Sequence, residues 1–198
     1  MRRLLITCFI FLLIQSARAQ EVHFGLKAGL NAANLIFEDQ GEAEFKLGVH
    51  GGALAHIHLT NKFALQPEVM ISMQGGKRIS NNTDINTNLN YLNIPVLLQY
   101  MFNNGFRVQA GPQAGFMLSA NEEINDAKSN RIQNYKSIDF SVPVGVSYLH
   151  PSGLGVDARW VFGLNNINDV GNRLPKTRNS VGQLGIFYVL NYGSHNHR

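Results

Sequence analysis

Two sets of residues in this chain are of the types that do chemistry. The first is histidine: His56 and His58 stand two apart, and His50 lies six residues before them. On a strand, alternate side chains share a face about 6.5–7 Å apart, a spacing that lets two imidazoles approach one metal ion. A zinc site needs further ligands, and none stands at a fixed spacing from this pair. His195 and His197 repeat the pattern near the end of the sequence with the same shortfall. The simpler reading puts His50, His56 and His58 on a polar interior face near a short turn, so neither metal nor cofactor is expected.

The second set is Lys27, Lys46, Glu68, Arg107, Asp139, Asp157 and Arg159, four bases and three acids. Such a mixture could serve acid–base catalysis, or it could brace a filled interior where charges must be paired. A lipid hydrolase would need Ser, His and an acid clustered toward lipid, but the outward positions identified below are almost all apolar. The bracing role is therefore the expectation, and no enzyme is expected. The mid-chain glycines are not phosphate loops, because no helix follows them.

These residues are positioned by alternation of period two. From Phe106 to Leu118 the even positions are Phe, Val, Ala, Pro, Ala, Phe and Leu, whereas the odd ones from Arg107 to Ser119 are Arg, Gln, Gly, Gln, Gly, Met and Ser. A strand turns successive side chains to opposite faces, so this one has a greasy face and a polar face. Asn90 to Phe102 alternates in the same way, and only Asn103-Asn104-Gly105 separates the two segments. The pattern recurs over Val22 to Ala33, Phe45 to Leu59, Phe63 to Met73, Ile138 to Tyr148, Leu154 to Asn165 and Leu184 to Leu190. Connections alternate between short turns (Thr60–Lys62, Asn103–Gly105, His150–Gly153) and long polar segments (Glu38–Glu44, Lys77–Asn88, Asn121–Lys136, Asn166–Asn179). The fold class predicted is all-β, an eight-stranded antiparallel up-and-down transmembrane β-barrel.

Polarity sets which face looks inward. An eight-stranded barrel has an interior that side chains fill. Charges turned inward can pair across it, whereas each base turned into hydrocarbon would cost about 2–4 kcal/mol near the midplane. Tyr100, Phe102, Phe106, Tyr148 and Tyr188 near the short turns, with Phe116, Phe140, Trp160 and Phe162 farther away, suit two interfacial girdles. No basic stripe accompanies these aromatics, so nucleic acid is not an expected partner. Pro67, Pro95, Pro112 and Pro143 fall inside four consecutive strands, where β-bulges or a kink are expected because proline cannot donate to the ladder. Similar distances from the short turns suggest that Pro95, Pro112 and Pro143 form one band.

Residues 1–19 carry Arg2 and Arg3, an apolar run from Leu4 to Ile14 and the small-x-small pattern Ala17-Arg18-Ala19, the marks of a signal peptide. The run is too short for a spanning helix. Residues 20–198 then form the barrel domain. Removing the signal takes away the single Cys and three of the 17 bases, leaving 14 against 13 acids, a net charge of +1. The alternatives are a small-ligand or ion-binding barrel, either a narrow porin or a soluble lipocalin-like barrel with its apolar faces inward.

Several segments carry a resemblance: Phe24-Gly25-Leu26-Lys27-Ala28-Gly29-Leu30-Asn31, Leu65-Gln66-Pro67-Glu68, Tyr91-Leu92-Asn93-Ile94-Pro95-Val96-Leu97, Ala110-Gly111-Pro112-Gln113 and Asp157-Ala158-Arg159. Together they resemble the PorT-like outer-membrane β-barrel family of Gram-negative bacteria, with a departure at Asn93, where an acid is common. The resemblance implies an eight-stranded barrel in the outer membrane of a Gram-negative bacterium. It implies little about activity, since most members share only the fold and a minority resemble components of a protein-secretion and gliding apparatus; the role expected is structural or interactive, as one part of a secretion or envelope assembly. The expected partners are outer-membrane lipid and other envelope or secretion proteins, around a monomeric barrel.

Overall fold

The computed structural model describes residues 22–38, 41–80, 83–124, 127–169 and 176–192. Among them, eight long antiparallel strands form a ring. They are β1 (Val22–Phe37), β2 (Lys46–His58), β3 (Phe63–Ser80), β4 (Thr83–Met101), β5, β6 (Ile138–Leu149), β7 (Leu154–Gly163) and β8 (Thr177–Val189). β5 runs over Phe106–Ala110 and resumes at Gln113–Ile124 after a break at Gly111-Pro112. Each strand pairs with its neighbours in sequence, and β8 returns to β1 from Gly25 opposite Val189 to Phe37 opposite Thr177. The expected signal segment and the histidines of the tail lie outside the described residues.

Alternation sorts the side chains as the charge argument requires. On β7, Leu154, Val156, Trp160 and Phe162 are exposed outward, whereas Asp157 and Arg159 are buried. On β8, Leu184, Ile186 and Tyr188 look out, and Gln183 and Phe187 look in. This polarity excludes the lipocalin-like alternative, in which the greasy faces would meet inside. At the short-turn end, Phe63, Tyr100, Phe102 and Phe106 form a chain of edge-on and tilted ring contacts, with centroids 5.0–5.7 Å apart. Gly105 and Gly153 take φ near +87° and +88° in two of the short turns, a conformation that side chains with a Cβ disfavour.

Two of the long connections are more ordered than their composition suggests. The β3–β4 ladder runs on to Ser80 opposite Thr83, so much of 77–88 is a tall hairpin rather than a loop. β4 pairs with β5 as far as Ile85 opposite Ile124, and the short strand Ala127–Asn130 adds beside β5. Segment 121–136 thus holds strand and one 3-10 turn, Ile132–Asn134. Above the lipid a strand needs no apolar outer face, so Asn, Thr and Ser conceal pairing that the backbone maintains.

The prolines also differ from expectation. Pairings on either side of Pro67, Pro95 and Pro143 keep one register, and the ladder simply omits bonds around the first two. Across the Gly111-Pro112 break, the Val96 amide donates to the Pro112 carbonyl (2.9 Å) and the Gly111 amide to that of Pro143 (3.3 Å), so the strands stay aligned. The register shift lies instead between Asn90 and Tyr91. Pro95, Pro112 and Pro143 do lie in one band, because Val96, beside Pro95, bonds Pro112, and Gly111, beside Pro112, bonds Pro143; Pro67, opposite Val96, joins it.

If the outward stripe faces lipid, depth sets the cost of a charge on it. Leu184→Arg, in mid-belt, should lower unfolding free energy by about 2–4 kcal/mol, and Leu190→Arg, beside the short turns, by about 0–1 kcal/mol. Chemical denaturation of the barrel in lipid vesicles measures both.

Candidate functional site

The interior is built in layers. In mid-barrel, β1, β3 and β7 supply Lys27, Glu68, Asp157 and Arg159, all at most 4% exposed. Lys27 Nζ donates to Asp157 Oδ2 at 2.5 Å and lies 3.8 Å from Glu68 Oε1. Arg159 Nη2 donates to Glu68 Oε2 at 2.7 Å, and its Nε is 3.3 Å from Asp157 Oδ2. Two bases and two acids thus form one self-neutralising cluster. Gln66 Nε2 donates to Glu68 Oε1 (2.8 Å), and Gln99 Nε2 bridges Gln66 and Gln109 at 3.0 and 2.7 Å. On the other side, the Asn31 carbonyl meets a ring nitrogen of His50 at 2.8 Å and accepts from Gln183 at 2.9 Å.

Room for the cluster comes from β8. A Cβ on Gly185 would stand 2.7 Å from Asp157 Oδ1, 3.2 Å from His50 Nε2 and 3.2 Å from Lys27 Cε. On Gly51, which faces outward, its nearest contact would be an ordinary 3.5 Å.

The other three charged residues sit apart. Asp139 accepts from Asn179 at 2.8 Å in a layer nearer the long connections, where Asn179 also donates to the Tyr91 hydroxyl (3.2 Å). Lys46 lies at the rim of the barrel, donating to the Asn88 side chain and the Thr87 carbonyl. Arg107 lies toward the short turns, with Nη2 donating to the Tyr192 hydroxyl at 3.0 Å. The structure therefore brings together four of the seven residues.

The histidines of the His-x-His pair meet around the same tyrosine. The His56 and His58 rings are 4.6 Å apart, His58 is stacked on Tyr192 (6.2 Å, 20°), and His23 meets the Tyr192 ring edge-on at 5.5 Å. His50 is elsewhere, with Asn31. No group of three His, Cys, Asp or Glu side chains suited to a metal occurs among the described residues.

Apolar clusters flank this polar column. Leu54, Leu149, Phe187 and Val189, with Tyr192 against them, lie at the short-turn end. Leu35, Ala43, Leu89, Tyr91, Ala120 and Ile167, backed by Phe37, Met117 and Tyr135, lie at the other. Burial there, reinforced by the Glu122 carboxylate, pushes the Tyr135 hydroxyl up to about 12, so it remains protonated. Sequence reasoning missed these plugs. The signal was present, because Leu54, Phe187 and Val189 occupy inward positions of their strands.

A family model described as "Outer membrane protein beta-barrel domain" matches residues 15–169, well over half of the chain. The chain belongs to that family. This outer-membrane β-barrel is also similar in fold to solved barrels. Neisserial surface protein A superposes with a TM-score of 0.58 at 14% identity, covering 83% of this chain and 96% of that one. Ail, the attachment invasion locus protein of Yersinia pestis, gives 0.52 at 13% identity, covering 85% and 99%. A second structure of Ail, in complex with the heparin analogue sucrose octasulfate, gives 0.52 at 12% identity, covering 85% and 99%. No curated protein sequence matches the chain significantly.

Two outcomes test the cluster. Glu68→Gln removes one of the two buried carboxylates of the cluster, the one that accepts from Arg159 Nη2, and should cost about 3–5 kcal/mol, whereas Lys46→Gln at the rim should cost under about 1 kcal/mol, both read by urea titration of the folded barrel. Gly185→Ala overpacks the cluster and should cost about 1–3 kcal/mol, while Gly51→Ala should leave the midpoint within error.

Proposed function

We propose that this outer-membrane β-barrel has a structural or interaction role, as a non-conducting component of a protein-secretion or envelope assembly in a Gram-negative cell. The observation that carries this reading is the filled lumen. A self-neutral ion cluster, amide and histidine layers and two apolar clusters lie along the bore. A narrow porin needs a continuous water path, and buried side chains standing in the bore count against one.

The finer placement, among PorT-like barrels, rests on the motifs around Pro67, Pro95 and Pro112. What the barrel offers a partner is its raised sheet. β3, β4, the end of β5 and Ala127–Asn130 continue pairing beyond the ring, from Gly75 opposite Asn88 to Ser80 opposite Thr83. Lys77, Arg78, Glu122, Glu123 and Lys128 stand on it. A paired sheet holds such side chains in fixed register, which lowers the ordering cost of recognition compared with a loose loop. The partners are outer-membrane lipid along the belt and envelope proteins at this sheet, around a monomeric barrel.

The purified barrel in planar bilayers should give no discrete conductance steps. Replacing residues 77–88 with a two-residue turn should preserve the unheated-versus-boiled gel shift but abolish crosslinking to partners in native envelopes. Stepwise conductance, or an unchanged crosslinking pattern, would refute the proposal.

A further inference from the structure

A cavity of about 350 Å³ opens at the short-turn end, lined in part by His58, Asn61, Arg107, Tyr148, Leu149 and Tyr192. Arg107 is only 2% exposed. Its Nη2 donates to the Tyr192 hydroxyl at 3.0 Å, and the guanidinium lies 5.7 Å from the centre of that ring. Its Nη1 is buried and meets no hydrogen-bond acceptor among the described residues.

Among the described residues, no carboxylate reaches it there. The described turns at this end, residues 59–62, 102–105 and 150–153, contain neither Asp nor Glu. The buried acids of the lumen are engaged elsewhere: Glu68 by Arg159, Asp157 by Lys27 and Asp139 by Asn179. Among the described residues its charge has no counter-charge, which is expensive for a buried group, and guanidinium cannot shed its proton at ordinary pH. The planar fork of an arginine matches the two oxygens of a carboxylate or phosphate.

We propose that this cavity is a binding site for an oxyanion, a carboxylate or phosphate group carried on a small apolar body and offered from the periplasmic side. Short turns of an outer-membrane barrel face the periplasm. Arg107 takes the anion through Nη1, the nitrogen that has no acceptor among the described residues, and the Tyr148 and Leu149 side of the cavity receives the apolar part. His58, stacked on Tyr192, and His23, edge-on to it, are positioning residues that hold the phenol against the guanidinium. This gives the histidine pair a task other than metal binding.

The test uses the full mature barrel in a non-ionic maltoside micelle, with benzoate, inorganic phosphate and the neutral amide benzamide as probes. Nitrogen-15 NMR of the Arg107 side chain reads binding. Benzoate and phosphate should shift the Arg107 signal saturably and benzamide should not. Arg107→Gln should weaken benzoate binding by about tenfold or more, the loss expected for a charge-assisted hydrogen bond. Benzoate binding to that variant is read by saturation transfer, and the gel shift reports folding. Should Arg107→Gln fail to fold, Tyr192→Phe replaces it and should weaken binding severalfold. Adding phosphatidylglycerol separates the sources: displacement of benzoate assigns the oxyanion to a lipid headgroup, and no displacement assigns it to a soluble ligand. No shift with either anion, an equal shift with benzamide, or undiminished binding in the variant would overturn the site.

Discussion

Hydrocarbon offers no hydrogen bonds, and that single constraint shapes the molecule. A strand in lipid must find both neighbours, so the row of strands closes on itself through β8 and β1. The same medium admits only apolar side chains on the outer face. Because strand side chains alternate, the polar remainder is sent inward whether or not function requires it there. The interior is therefore not an oily core. It is a polar column, and its stability depends on matching donors, acceptors and charges within a narrow bore.

The matching is specific to height. Lys27, Glu68, Asp157 and Arg159 come from three strands and meet at one level because the register fixes them there. Gly185 supplies the space, since a methyl group in its place would press on the Asp157 carboxylate. Above and below, amides and the single charges of Asp139 and Arg107 take over, and apolar clusters lie toward each end. The ion pairs sit where their side chains are almost fully buried, and Coulomb attraction is strongest where the local dielectric is low.

Much of this was legible in the sequence. Period-two alternation placed the lipid-facing stripes and named the inward charges, since each strand declares its two faces residue by residue. Alternation says nothing about height, however. Arg107, Asp139 and Lys46 look inward like the four clustered residues, yet registers between distant strands put them at other levels. The raised hairpin around Lys77–Asn88 was illegible because its outer face meets water and has no apolar period. The prolines were misjudged for a related reason: omitted bonds left the register intact, and the irregularity fell at Asn90 and Tyr91, which no turn or breaker residue marks. The plugs were readable in principle from inward Leu54, Phe187 and Val189.

The pairing of β8 with β1 has a bearing on biogenesis. The two strands farthest apart in the chain share the seam from Gly25–Val189 to Phe37–Thr177. Neither the seam nor the ion cluster, which needs β7, can exist until nearly all of the polypeptide is present. An interrupted chain would carry Lys27 and Glu68 without Asp157 and Arg159 and would leave a raw sheet edge. Closure thus acts as a completeness check: only the finished polypeptide can hide both its backbone edges and its charges from the lipid.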